Sequence, residues 1–373
     1  MNASKIGVGL YALSGAYGKK DERQVEATLR YAIENGVDFV DMAESYGHAE
    51  AFAGRVLKPY KKRIRIATKV SPSDDGTMNC SYEHIIHSCK SSLQRLGMAC
   101  IELYQIHYDD PNTSAEETVA ALEALKKEGC IQAYGLGHLP HKKALAFMEA
   151  GSPKTLMIEL HPLCIHRYSK YKNLCETHGI AFLTMGSTGR GLFTGAINDK
   201  TTFERGDIRR IDPLFHHGKR HTAHLIMGKI MKLAEQYHRT PVQVVLNWVL
   251  HKPCIHRALV GTSQVSHLKE NLGGEGWHLS PDDAKDLNAF IQQANEELSS
   301  KLQEEVENLL KDDARHDDVV ADMIYVLETL IESEQLDEAQ GLPLFTSIMT
   351  LKTQKSSAQI RTVKGRIRAY LRP

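Results

Sequence analysis

Along the chain, short apolar runs of strand character alternate with amphipathic stretches of helical period. "FVDMAE" is followed by "AEAFAGRVLKPYKK", "IRIATKV" by "YEHIIHSCKSSLQRLG", "ELYQIHY" by "SAEETVAALEALKKEG", and "IQAYGLG" by "KKALAFMEAG". The pattern continues through "TLMIELH", "RYSKYKNLCETHG" and "AFLTMGS". A long helical stretch, "HLIMGKIMKLAEQYH" and "PVQVVLNWVL", leads to "RALVGT" and "SHLKENL". Strands alternating with helices predict parallel βαβ units. Seven strands follow from "FVDMAE" onward and "IGVGLYAL" supplies an eighth, which predicts a (β/α)₈ TIM barrel. An open doubly wound sheet fits less well, because the glycines of "GVGLYALSG" lack G-x-G-x-x-G spacing.

The texture changes after about residue 295. Leu298, Leu302, Val306 and Leu309 recur at helical spacing, as do Val319, Val320, Met323, Ile324, Leu327 and Ile331. They predict two amphipathic helices on an acidic background. From Lys352 onward there is no acidic residue, while Lys352, Lys355, Arg361, Lys364, Arg366, Arg368 and Arg372 are present. The expected division is a barrel over 1–295 and, over 296–373, a helical extension with an acidic first half and a basic end. The plain reading of the extension is an appendage whose basic end packs on its own acidic half. The sharper one is a tail that binds nucleic acid or a protein partner, or that self-associates, with nucleic acid the less expected.

Composition narrows the class. The 373 residues carry 46 basic and 46 acidic side chains, so a globally basic nucleic-acid binder is not expected. No run reaches the roughly 18 uninterrupted apolar residues of a membrane helix. "MNASKIGVGLYAL" lacks the basic start, apolar core and cleavage site of a signal peptide. Seven cysteines without a C-x-x-C pair suit reduced thiols in a cytoplasm.

In a barrel, catalytic side chains come from the C-terminal ends of several strands. "DFVDMAESYG" offers Asp41 and Tyr46, "IRIATKV" offers Lys69, and "IELYQIHYDD" offers His107. An unpaired ammonium in an apolar strand end is costly, so Asp41 is the expected counter-charge of Lys69. A lysine beside Tyr46 is expected to lower the phenol from about 10 and make it a proton donor near neutrality. His107, one strand further, would orient a carbonyl oxygen beside that hydroxyl.

These segments, with "IATKV" and "LYQIH", resemble the signatures of the aldo-keto reductase superfamily, and the similarity runs from about Lys5 to Phe290. The resemblance implies NAD(P)-dependent reduction of a small aldehyde or ketone, with Asp41, Tyr46, Lys69 and His107 as the catalytic set. It implies NADP as cofactor, with NAD as the alternative. Two further segments belong to it: "GRGLFTG" (Gly189–Gly195) after strand seven and "GTSQVSHLKENL" (Gly261–Leu272) after strand eight. The first is a glycine-rich loop whose amides can approach a diphosphate, with Arg190 adding charge. The second is a Gly-Thr-Ser turn at a helix N-terminus, an anion site by dipole and free N–H groups. The implied cofactor contacts are Gly189, Arg190, Gly191, Leu192, Thr262, Ser263, His267, Glu270 and Asn271. Relatives hold the nicotinamide amide with a Ser-Asn pair after strand five and a Gln on strand six. Those places read here as Gly137, His138 and Met157, and an aromatic residue after strand seven reads as Met185. Ser263 and Gln264 stand where basic residues near a 2′-phosphate are usual, leaving His267 and Lys269 as substitutes.

Tyr11, Tyr17 and Tyr108 are expected to line the substrate mouth beside Asp109, and they suit aromatic and polyol carbonyls alike. "HHGKRHTAH" places His217 and His221 at i, i+4, between His216 and His224. It has no cysteine or acidic ligand at matching spacing, so it reads as a basic loop near cofactor phosphates with Arg209 and Arg210, not as a metal site. The rival function is a non-catalytic nucleotide-binding barrel that acts through its C-terminal extension. The intact set of four favours the enzyme.

Overall fold

The computed structural model describes residues 4–72, 76–198, 200–311, 319–332, 336, 338–351 and 357–369. Eight parallel strands close into a barrel in chain order: β1 (Ile6–Gly9), β2 (Phe39–Asp41), β3 (Arg65–Val70), β4 (Ile101–Tyr108), β5 (Ile131–His138), β6 (Thr155–Glu159), β7 (Ala181–Met185) and β8 (Ile255–Gly261). Closure comes from β1 pairing with β8, Gly9 opposite Gly261. These are the eight strands that the alternation predicts. Among the described residues eight α-helices lie between the strands, and α9 (Val265–Leu272) follows β8: α1 (Glu22–Glu34), α2 (Ala49–Leu57), α3 (Tyr82–Leu96), α4 (Ala115–Lys127), α5 (His141–Ala150), α6 (Ile165–His178), α7 (His217–Gln236) and α8 (Pro241–Leu250).

Local signals set the helix ends. Asp21 and Ser114 accept the N–H groups of Arg23 and Glu117 and so satisfy otherwise orphaned first-turn donors. At the start of α8 the Gln243 side chain accepts the Thr240 N–H at 3.2 Å, one half of a capping box. Gly97 ends α3 at φ 60°, a left-handed conformation that costs glycine nothing.

The barrel interior is layered. Phe39, Ala67, Leu103, Met157, Leu183 and Leu259, one from each of six strands, form a buried apolar cluster. Side chains two residues apart on a strand share a face. The next inward positions are therefore Asp41, Lys69, Gln105, Glu159, Met185 and Gly261, one step nearer the C-terminal ends. An apolar layer thus carries a polar one above it, at the end of the barrel where chemistry is placed.

The chain divides into two compact units. One comprises Met1–Ala196 and Ile230–Ala284; the other comprises Ile197–Lys229 and Lys285–Pro373. The second unit contains α11 (Val319–Glu332), α12 (Glu338–Thr350) and α13 (Ser357–Arg368), and takes in most of α10 (Pro281–Lys311). The tail therefore holds more helix than the two amphipathic runs predict. Val306 and Leu310 of α10 share a buried core with Met323 and Leu327 of α11, Leu344 and Ile348 of α12, and Val363 and Ile367 of α13. Lys364 Nζ donates to the Leu309 carbonyl at 2.9 Å and Arg368 to that of Leu310. Two of the basic residues thus cap the C-terminal carbonyls of α10. Lys352, Lys355 and Arg372, and the side chain of Leu302, lie outside the described residues.

Among the described residues no helix is long and apolar enough to cross a membrane. The expectation of seven reduced thiols is overturned at one pair. Cys175 of α6 and Cys254, just before β8, have Cα atoms 6.3 Å apart and are joined by a disulfide. α6 leads into β7, whose Phe182 N–H donates to the Cys254 carbonyl at 2.8 Å, and this brings the two cysteines within bridging range.

Candidate active site

Asp41 ends β2 and Lys69 lies one residue before the end of β3, so adjacent strands present both side chains inward. Lys69 Nζ stands 2.6 Å from Asp41 Oδ1 and donates a second hydrogen bond, also 2.6 Å, to the Met42 carbonyl. Gln105, paired with Lys69 in the β3–β4 register, donates to Asp41 Oδ2 at 3.3 Å. Burial pushes the Asp41 carboxyl up and the Lys69 ammonium down, and their mutual attraction opposes both movements. Tyr46, in the turn after β2, lies with its ring centroid 5.2 Å from Lys69 Nζ. His107 of β4 is 5.7 Å from the same ring, centroid to centroid. The four side chains from three consecutive strands therefore meet at one place.

The expected lowering of the Tyr46 phenol is corrected. Burial, and then the Asp41 charge, push it well above 10. The reason is geometric: the Lys69 cation is already neutralised by a carboxylate at 2.6 Å, so little of its field is left for the phenol. Tyr46 is held as a phenol, the proton-bearing form. Burial and then Lys69 push His107 well below its ordinary value, so its ring is neutral. His107 Nδ1 is buried and has no hydrogen-bond partner among the described residues. A neutral imidazole facing a phenol can hold one uncharged oxygen atom between them.

Six rings form a continuous chain around this point. Tyr17 meets Tyr11, Tyr11 meets Tyr46, Tyr46 meets His107, and His107 and His138 both contact Tyr108. The residues read from sequence as the substrate mouth are thus all in that chain, with Tyr11 and Tyr108 partly exposed. His138 stacks on Tyr108 at 5.1 Å and is pushed by burial down to about 4.

Gly137 is not simply a serine replaced. A Cβ there would lie 2.5 Å from the His107 carbonyl oxygen and 2.6 Å from that of Ile106. Backbone atoms cannot move aside as side chains do, so β4 and β5 approach closely only because this position is glycine.

Met157 belongs to the apolar layer below the polar one and is 4% exposed. Its strand presents Glu159 at the C-terminal end instead. Glu159 Oε1 accepts from Arg190 Nη1 at 2.6 Å and lies 3.3 Å from His161 Nε2. Burial pushes this carboxyl up, but Arg190, His161 and Arg167 outweigh it and hold it well below 4.5. Sequence reasoning missed Glu159 and Gln105. The signal available was the two-residue step from Met157 and from Leu103 to the next inward position. Glu159, His161 and Cys164 lie within 4.8 Å of one another. The Arg190 cation occupies the shared carboxylate oxygen, and His161 Nδ1 already accepts from the Leu163 N–H. His161 Nε2 therefore bears the proton, and the trio is built for an arginine and not for a metal ion.

The glycine loop after β7 is a tight turn, with Arg190 at φ 52° and Gly191 at φ 98°. The Gly189, Gly191 and Leu192 amides donate to carbonyls within it, at 2.7, 3.2 and 2.9 Å. Arg190 is directed to Glu159, and Leu192 is buried. At the other anion segment, Thr262 Oγ1 accepts the Gln264 N–H at 3.2 Å, just before the first turn of α9, where helix geometry leaves amides unbonded. Ideal Cβ atoms on Gly9 and Gly261 would meet nothing closer than 3.9 Å, so the β1–β8 strand ends leave room beside that turn. A dinucleotide's anionic phosphates fit this donor set. Ser263 is partly exposed, His267 is exposed, Glu270 is half-buried and Asn271 is buried. Lys269 Nζ lies over the Tyr31 ring at 5.2 Å.

A model of the aldo/keto reductase family matches residues 5–292. The chain belongs to this family. It is 32% identical to the aldo-keto reductase str7 of Strobilurus tenacellus over 74% of its own length and 84% of that protein's. With the aldo-keto reductase yakc [NADP(+)] of Schizosaccharomyces pombe it shares 28% over 76% of this chain and 86% of the other. The structure of the glycerol dehydrogenase AKR11B4 from Gluconobacter oxydans is similar, with a TM-score of 0.70 and 26% identity, covering 78% of this chain and 92% of that one. This aldo-keto reductase is an oxidoreductase.

The histidine-rich segment falls in the second compact unit. His216, Lys219, Arg209 and Arg210 belong to the second unit, and Arg209 pairs with Asp207 at 2.6 Å. The His217 side chain lies outside the described residues.

Proposed function

We propose that this aldo-keto reductase reduces an aldehyde or ketone to the alcohol with NADPH, NADH being the alternative reductant, and that Tyr46 delivers the proton. When bound, the reduced nicotinamide supplies a hydride to the carbonyl carbon. The observation that carries the reading is the phenol of Tyr46 set between the buried Lys69–Asp41 pair and a neutral His107. His107, uncharged, donates a hydrogen bond that fixes the carbonyl oxygen beside the Tyr46 hydroxyl. As charge develops on that oxygen, Tyr46 passes its proton to it and is left as a phenolate beside the Lys69–Asp41 pair. Asp41 keeps Lys69 charged in a place where burial alone would neutralise it. Gln105 holds the second Asp41 oxygen and so fixes the angle of the pair.

The Gly-Thr-Ser turn before α9, with Thr262 and Ser263, would hold a phosphate. His267 and Lys269 stand nearby on α9. Glu159, with His138 across the site, would meet the nicotinamide carboxamide in place of Met157, as hydrogen-bond acceptor and donor respectively. The name of the relative yakc [NADP(+)] supports NADP as the cofactor. The test is loss of the reduced-nicotinamide absorbance with NADPH and with NADH against a panel of aromatic, aliphatic and polyol-derived carbonyls. Oxidation of either cofactor that depends on a carbonyl is expected. None with any of them overturns the reading.

A further inference from the structure

Alternation along β3 turns Lys69 into the barrel and Thr68 outward, toward α2. There Thr68 Oγ1 donates to Glu50 Oε1 of α2 at 2.6 Å, and Glu50 Oε2 accepts from Arg95 Nε of α3, also at 2.6 Å. Arg95 Nη2 lies 3.8 Å from Glu44 Oε2, so one guanidinium faces two carboxylates. The last turn of α3 reaches this place because α2 has a glycine there. A Cβ on Gly54 would lie 2.6 Å from the Leu96 carbonyl oxygen and 2.8 Å from that of Arg95. The Glu44 and Glu50 side chains are 12% and 2% exposed, so neither carboxylate can rely on water.

Glu44 sits two residues before Tyr46 and ties that turn to the end of β3 twice. Its N–H donates to the Lys69 carbonyl at 3.2 Å, and its Oε1 accepts the Ser71 N–H at 3.0 Å. Ser71 is buried at φ 63°, a left-handed conformation uncommon for serine, and depends on its surroundings to keep it. The Tyr46 N–H closes the turn by donating to the Ala43 carbonyl at 3.1 Å. We propose that Arg95 is a positioning residue for Tyr46: facing Glu44 and Glu50 together, it keeps the Glu44 carboxylate on Ser71 and so fixes the phenol's turn against the strand that carries Lys69. The inference rests on the reading of Tyr46 as proton donor. Burial raises the Glu44 carboxyl and the Glu50 charge adds to this, while the Ser71 N–H and Arg95 oppose it. Without Arg95 two buried carboxylates repel each other with no cation between them. The turn relieves this by swinging Glu44 away from Glu50, which frees Ser71 and displaces Tyr46. Arg95 touches neither substrate nor cofactor in this account.

The test uses the full chain with Arg95→Met, with Arg95→Met joined to Glu44→Gln, and with Arg95→Lys, after circular dichroism confirms folding. Stopped-flow single turnovers at saturating NADPH and carbonyl read hydride transfer, and fluorescence titration reads the NADPH Kd. Arg95→Met is expected to slow the single turnover about 10- to 100-fold, the effect of a displaced catalytic group, with the NADPH Kd within about twofold of the parent. Adding Glu44→Gln removes the repulsion and keeps an oxygen for the Ser71 N–H, so it should recover most of the rate. If Arg95→Met does not fold, Arg95→Lys carries the measurement. It keeps one charge but no fork that reaches both carboxylates, and should slow the single turnover about three- to tenfold. A parent-like single turnover in the folded variant overturns the inference, as does a loss in Arg95→Met that Glu44→Gln does not relieve. Failure of the parent to oxidise NADPH or NADH with any carbonyl instead sinks the functional reading, and this inference with it.

Discussion

Lys69 Nζ lies 2.6 Å from Asp41 Oδ1, and the two side chains are 0% and 7% exposed. The pair is buried at the meeting of β2 and β3, so neither charge has water to fall back on. Lys69→Met therefore leaves a buried carboxylate unpaired and should cost about 3–5 kcal/mol. Adding Asp41→Leu to it should recover most of that stability while leaving turnover abolished. Chemical denaturation of both variants checks this; a double variant no more stable than the single would show that the pair is not the source of the loss.

Gly137 should tolerate no side chain. With backbone carbonyls 2.5 and 2.6 Å from an added Cβ, Gly137→Ala must push β5 from β4 and shift His107. The expected cost is about 1–3 kcal/mol, as for other overpacked interiors, together with reduced turnover. Thermal melting and steady-state rates read both. An alanine variant with parent stability and parent turnover would mean the strands do not approach as closely as described.

Met157 and Glu159 make opposite predictions. Met157→Leu conserves volume in an apolar layer and should cost less than about 1.5 kcal/mol, with NADPH affinity unchanged. Glu159→Ala removes the acceptor of Arg190 and His161, which should destabilise by about 1–3 kcal/mol and raise the NADPH Kd. Titration of the two variants side by side separates them. The reverse pattern would put Met157, not Glu159, beside the cofactor.

That contrast marks where the sequence stops being readable. Asp41, Tyr46, Lys69 and His107 could be picked out because a strand end followed by a turn can be located from alternation and glycine alone. "TLMIELH" has apolar residues in both of its alternating sets, Met157 in one and Leu156, Ile158 and Leu160 in the other, so the stretch alone does not say which set faces inward. Only its neighbours settle that, through Leu183 opposite Met157 and Met185 opposite Glu159. The closeness behind Gly137 depends on the carbonyls of another strand, which no local pattern records. In the tail, Gly341 and Pro343 interrupt the helical signal of α12. The helix forms nonetheless, because an ideal Cβ at Gly341 would lie only 2.7 Å from Ile331 of α11, so the two helices pack closely there. The partnership of 197–229 with residues beyond 285 is likewise non-local, and hydropathy carries no trace of it.

The titration behaviour gives a further prediction. Reduction needs Tyr46 protonated, and its raised folded-state value means that activity is lost only as pH rises above 10.0. It also needs His107 neutral, and the depressed value means that this is lost only as pH falls below 6.5. A plot of kcat/KM should therefore show no limb between those two values. A limb near neutrality belonging to either residue would contradict the burial assigned to it.

The most direct measurement is the turnover of Tyr46→Phe with a carbonyl substrate accepted by the parent, alongside its NADPH affinity. The change removes one hydroxyl and keeps the ring contacts with Tyr11 and His107. The account predicts that kcat falls by about 10²–10⁴ while the NADPH Kd stays within about twofold, the usual share of positioned acid catalysis. A Tyr46→Phe protein that turns over at the parent rate would contradict it.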